Sequence, residues 1–395
     1  MWAEIEKPDW SALNHDLLVE IAKRIRLLED FINFGRVCKS WGSAANLKKN
    51  YAFKHNHMPQ LLLAPQKESS EDEQRRDFFN VSKGMSRQVS LPEANDKKTL
   101  SSKGWLLTVD RDWGVSLLHP YSRVQIELPN LKSFEDWDDG IADELKHAFF
   151  IRKFVLSSSP IEDEDYIVMV IHGGFRKLAY IKPSSKAAAW IILDTSCSGS
   201  SVSGFFDVVY YKSKFYAVDN HGRVVVCNFS SCRDNYVVQR VAEMPPGLVG
   251  NKILEKLYLV VVSEDVLWVI TRGVQMWPIE SGGDLYDYGT YGFQVFQVKL
   301  SANTWKEIND LGNRTLFLGH NSSFSKVSHI SDCKPNCIYF TDDAIESYWP
   351  FNGEPERGGK DMGIYNLEDG TFSSYFEGKS LDSLSPPMWV ELSFD

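Results

Sequence analysis

The chain has 395 residues, 43% hydrophobic and 24% charged, with a net charge of −10. That composition excludes a disordered chain, a collagen and a disulfide miniprotein. The charge is uneven, +2 over residues 1–60 and −12 over the rest; an acidic body repels phosphate backbones, so nucleic acid is not an expected partner.

The first residues, Met1 to Asp9, carry Glu4, Glu6, Lys7 and Asp9 and lack the pattern of a secretory signal or a transit peptide. The longest apolar run, Ala187 to Leu193, is seven residues, against the ~20 that a membrane-crossing helix needs. Six scattered cysteines fit a reducing compartment. A cytoplasmic or nuclear protein without a membrane partner is expected.

Up to about residue 60 the apolar pattern is helical. Leu17, Leu18, Ile21 and Ile25 fall on one stripe, with Asn14 or Asp16 as cap, and Phe31, Phe34, Val37 and Trp41 form a second. Gly35 and Gly42 interrupt that second stripe, which predicts a bundle of three short helices rather than one long helix.

Beyond residue 60 the period becomes two. Short runs rich in Val, Ile, Tyr, Phe and Trp alternate with Gly, Asp, Asn and Ser turns. They gather into six groups of three or four strands, beginning near Leu61, Gly104, Ala148, Phe205, Leu257 and Ser323, with a last strand at Trp389–Phe394. Residues 60–395 hold 336 residues, and kelch-like blades of ~50 residues would divide them into six or seven. Radial repetition of four-stranded sheets is a β-propeller. Its ring has to close, and the Trp389–Phe394 strand can supply what the short first group lacks. A β-sandwich is the competing architecture. The fold class is therefore multidomain α + all-β: a helical domain at 8–50 and a propeller of about six blades at 60–395.

The stretch Asp9-Trp10-Ser11-Ala12-Leu13-Asn14-His15-Asp16-Leu17-Leu18-Val19-Glu20-Ile21, followed by Val37-Cys38-Lys39-Ser40-Trp41, resembles an F-box, and Asn14 stands where that motif usually has Pro. Plant F-box proteins that begin Asp-Trp-Ser and end in a KIB-type β-propeller are the nearest likeness. Ser102-Lys103-Gly104-Trp105-Leu106 and Ile126-Glu127-Leu128-Pro129 are similar to that group as well. The resemblance implies binding to a Skp-family adaptor and, through it, to a cullin–RING ubiquitin ligase. Leu13, Leu17, Leu18, Ile21, Val37, Cys38 and Trp41 are the adaptor-binding residues it points to, each of which has a competing use as bundle core.

Catalytic signatures are missing from the sequence: no P-loop, dinucleotide-binding, nucleophile-elbow or His-Glu-x-x-His motif occurs. No catalytic residue, cofactor or metal is expected. Cys227-x4-Cys232 and Cys333-x3-Cys337 depart from zinc spacing, and His172-Gly173-Gly174 reads as a turn ending a strand. Acidic runs at Glu135–Asp139 and Glu162–Asp165 read as solvated loops. Aromatics concentrate in two apparent insertions. Tyr286, Tyr288 and Tyr291 lie in one, and Tyr348, Trp349 and Phe351 in the other. Rim aromatics are favoured anchors, so these six form the expected target-binding surface; folding back to plug the channel is their alternative use. The expected function is substrate recognition within an SCF-type ubiquitin ligase, the target being presented for ubiquitination without bond chemistry by this chain. A non-ligase scaffold or inhibitor is the alternative, and a carbohydrate-active propeller a more remote one.

Overall fold

The structure, a computed structural model, describes residues 9–25, 31, 34–45, 58–65, 75–138, 140–185, 189–196, 204–229, 236–245, 255–278, 286–328, 333–348 and 358–391. The chain divides into two compact units, one before Met58 and one at Met58–Leu392.

In the first unit a helix spans His15–Arg24. Asn14 starts it, its side chain accepting from Asp16 N at 2.8 Å and satisfying one of the amides a helix start leaves open. Leu18 and Ala22, four residues apart, are fully buried and share the interior with Phe31, Phe34 and Ala44. A second helix, Lys39–Ala44, carries Trp41. The Trp41 ring packs 4.6 Å from that of Phe34, and its Nε1 donates to Trp10 O at 2.9 Å.

The second unit is a six-bladed β-propeller. Blade one comprises Gln60–Leu62, Arg75–Asn80 and Met85–Ser90, and its inner strand is Met388–Val390, brought back from the far end of the sequence. Leu61 pairs with Trp389, so the ring closes through the last described strand, as the missing strand of the first group implied. Blade two runs Lys98–Ser102, Trp105–Val109, Val115–Leu118 and Gln125–Leu128. Blade three runs Ile151–Leu156, Val168–His172, Lys177–Ile181 and Ile191–Ile192. Blade four runs Phe205–Tyr211, Lys214–Asp219, Arg223–Phe229 and Tyr236–Glu243. Blade five runs Glu255–Val261, Val266–Pro278, Tyr286–Lys299 and Thr304–Ile308.

Blade six has five strands. Arg314–Leu318 lies parallel to Cys337–Phe340, and the hairpin partner Phe324–Val327 takes the inner edge, with Gly363–Asn366 and Phe372–Ser373 outside.

The core lies between blades. Side chains alternate across each strand, so Leu61 and Phe79 pack toward blade six while Leu62 and Phe78 pack toward blade two. Each of the six blade junctions holds its own apolar cluster.

Candidate functional site

The inner strands open at one end of the central channel: Lys98, Ile151, Phe205 and Glu255 are first residues of theirs. Blade five overshoots that mouth. Glu255 pairs with Gly273 and Gly273 with Gly292, so residues 274–278 and 286–291 project past the inner strand as an extended hairpin. The aromatics expected in a loop insertion at 286–291 therefore sit on a strand. Tyr286 and Tyr291 are 46% and 40% exposed. The Tyr291 ring lies over Gly273, where a Cβ would collide with it.

Tyr288 points the other way. It is buried, its hydroxyl donates to Asp342 Oδ2, and it packs with Val274, Ala148, Ala344 and Ile345 into a small apolar roof at the mouth. Tyr288 is thus buried, unlike Tyr286 and Tyr291. Tyr348 ends a short helix, Ile345–Tyr348, while Trp349 and Phe351 lie outside the described residues.

Beneath the roof the channel is filled. Segment 319–323, joining two strands of blade six, crosses to the opposite blades. Ser322 N donates to Ser101 O of blade two at 2.9 Å. Lys153 Nζ of blade three donates to Gly319 O and Asn321 O, both at 2.7 Å. Ser323 Oγ donates to Asp207 Oδ2 of blade four. Gly319 has φ +150°, and a Cβ there would run into Thr341 Oγ1, so only glycine permits this crossing.

Around the plug stands a buried ionic network. Asp207 meets Lys153 at 3.3 Å and accepts from Leu259 N at 3.0 Å; burial raises its pKa and Lys153 opposes the rise. Arg272 donates to Asp343 Oδ1, Asp361 Oδ2 and Thr290 Oγ1 at 2.7–2.9 Å. Lys256 donates to Asp343 O, and Arg152 and Arg176 both donate to Glu346 Oε1. Burial pushes the Glu346 carboxyl up, but Lys256, Arg176 and Arg152 outweigh it and hold the group down at about 2. Burial, and then Arg152, push the Lys98 ammonium down to about 7. Burial lowers His320 to about 3, which leaves its imidazole neutral.

None of these charges was among the sequence-predicted site residues. The available signal was a lone charge inside an apolar strand, as in Phe205-Phe206-Asp207-Val208-Val209. A buried charge there has to be paired, but the pairing partner is far away in sequence.

Among the described residues, no group of three or more His, Cys, Asp or Glu side chains is arranged to hold a metal ion. His172 closes its strand and Gly173 follows at φ +71°, so that motif is a turn. The described acidic residues of both runs are exposed, as expected, and Asp136 makes a surface ion pair with Lys177 at 2.9 Å. No helix among the described residues is long and apolar enough to cross a membrane.

The helical unit presents a second surface. Leu17 and Ile21 lie one turn apart on the face turned away from Leu18 and Ala22, and are 55% and 39% exposed; Val37 is 59% exposed and Trp10 is exposed as well. Leu13, Cys38 and Trp41 are half-buried, and Leu18 is core. The seven residues expected at an adaptor interface thus divide into three exposed, three intermediate and one buried.

Relatives align with this chain along most of their length. The F-box protein SKIP23 of Arabidopsis thaliana is 26% identical over 97% of this chain and 95% of its own. Two putative F-box proteins of the same plant, At5g55150 and At1g65770, are 24% identical over 84% of this chain and 85% of theirs, and 25% identical over 85% and 90%. Residues 78–366, which span all six blades, match the KIB1-4 beta-propeller family; the chain belongs to that family.

Proposed function

We propose that this chain is the substrate-recognition subunit of an SCF-type ubiquitin ligase. The unit before Met58 is the F-box and docks a Skp-family adaptor, which links it to a cullin–RING ligase. The propeller holds a target protein, with Tyr286 and Tyr291 on the blade-five hairpin, and Tyr348 with the following Trp349 and Phe351, as its contact set. The chain's contribution is proximity, not bond chemistry.

The observation that carries this reading is the exposure of Leu17 and Ile21, one turn apart on the outer face of the His15–Arg24 helix, and of Val37 on the same small unit. Water-exposed apolar side chains in such a cluster are a docking surface, and a helix face is a common one. The relatives' F-box names supply the kind of partner. Leu13, Cys38 and Trp41, half-buried, complete the proposed contact set, and Leu18 belongs to the core beneath the helix.

The test is a pull-down of the full chain with a Skp-family adaptor. Leu17→Asp with Val37→Asp is expected to abolish capture while leaving the melting temperature in place, because both side chains already face water. Leu18→Ala, by contrast, removes a fully buried side chain and costs about 2–5 kcal/mol. Undiminished capture by the double variant rules the reading out.

A further inference from the structure

The channel mouth encloses more positive than negative charge. A cavity of about 40 Å³ lies between the plug and the apolar roof, lined by Lys98, Arg152, Lys153, Arg176 and Lys256 against two carboxylates, Asp343 and Glu346. That volume holds about three waters. Lys153 also meets Asp207, and a sixth cation outside the lining, Arg272, is shared between Asp343 and Asp361, both at 2.9 Å, so the wider network holds four carboxylates. The same Glu346 oxygen serves both arginines.

Cations in this proportion, drawn from three blades into a largely buried mouth, repel one another with less screening than at the open surface. Burial chiefly, and then Arg152, depress the Lys98 ammonium, while Glu346 opposes the fall. Neutral His320 adds no further charge at the floor. Two forked guanidiniums and three ammoniums around a cavity of this size match a tetrahedral dianion, whose oxygens accept several charge-assisted bonds at once.

We propose that the propeller mouth is a binding site for one free tetrahedral oxyanion of the phosphate class, held chiefly by Arg152, Arg176 and Lys98, with Glu346 occupying part of the same donor set when the anion is absent. Binding turns the two arginines from a shared carboxylate to the anion and neutralises the excess charge under the roof. Glu346, a third exposed, is the side through which the ion enters.

The test uses the full chain, with inorganic phosphate or sulfate replacing chloride at constant ionic strength and thermal unfolding as the readout. Wild type is expected to show a saturable rise in melting temperature. Arg176→Gln is expected to weaken the apparent affinity about tenfold. Glu346→Gln is expected to lower the melting temperature in chloride, regain it in sulfate, and bind sulfate more tightly than wild type. That gain distinguishes an anion site from a purely structural ion pair. Lys177→Gln, next in the chain but bonded to Asp136, is expected to titrate like wild type. The proposal is overturned if phosphate and sulfate act no differently from chloride on the wild type. It is equally overturned if Arg176→Gln titrates like wild type, or if sulfate fails to restore Glu346→Gln.

Discussion

Arg272 of blade five donates through Nη1 to Asp343 Oδ1 of blade six at 2.9 Å, with both side chains shut from solvent. The same guanidinium reaches Asp361 through Nη2, so one residue pins two carboxylates of the neighbouring blade. Truncating one member of a buried pair leaves the others charged and alone. Arg272→Ala is therefore expected to cost about 3–5 kcal/mol, read as a lower denaturant midpoint. Arg272→Lys should recover only part of that loss, because an ammonium cannot make the forked contact.

Gly319 is the entry point of the plug. Its φ of +150° is closed to side chains, and any Cβ meets Thr341. Gly319→Ala should cost at least about 1–3 kcal/mol from the backbone alone, and the collision adds to that. Circular dichroism melts would register the loss; an unchanged melting temperature would mean that the crossing does not depend on this residue.

Ring closure rests on Trp389, fully buried and paired with Leu61. Trp389→Ala should cost about 3–5 kcal/mol. Ending the chain before Met388 should do more, because it bares the edge of Gln60–Leu62 to other chains. Light scattering on that truncation is expected to show association that the full chain lacks.

Acid should weaken the mouth network along a definite path. Glu346 is held near 2 in the folded chain against an ordinary 4.5, and Asp343 is lowered too, burial opposing and Lys256 and Arg272 prevailing. For these two carboxyls the unfolded chain binds protons that the folded chain refuses, so their contribution to stability is full above about pH 5 and is lost as pH drops toward 2. Urea midpoints across that range should decline. Glu346→Gln should flatten the decline by removing one of the two depressed carboxyls.

The parts of the fold that were readable from sequence are those with apolar alternation. Phe205–Tyr211, Lys214–Asp219 and Arg223–Phe229 announce themselves through Phe, Tyr and Val. Lys98–Ser102 does not: it is buried throughout yet holds one large apolar side chain, Leu100, because it faces a polar channel. Arg314–Leu318 was hidden for a different reason, since its parallel partner Cys337–Phe340 lies across an intervening hairpin and no hairpin turn joins the two. At the site, the helical stripe was legible residue by residue, but its division into inward Leu18 and outward Leu17 needed coordinates. The mouth network stayed invisible because it joins Lys153 to Asp207 and Arg272 to Asp343, pairs that only the closed ring brings together.

The segment 319–323 lies across the axis and hydrogen-bonds to blades two, three and four. The ring is consequently a disc with no bore. Among the described residues this segment separates the two ends of the axis, so each end can evolve its own recognition without leakage to the other.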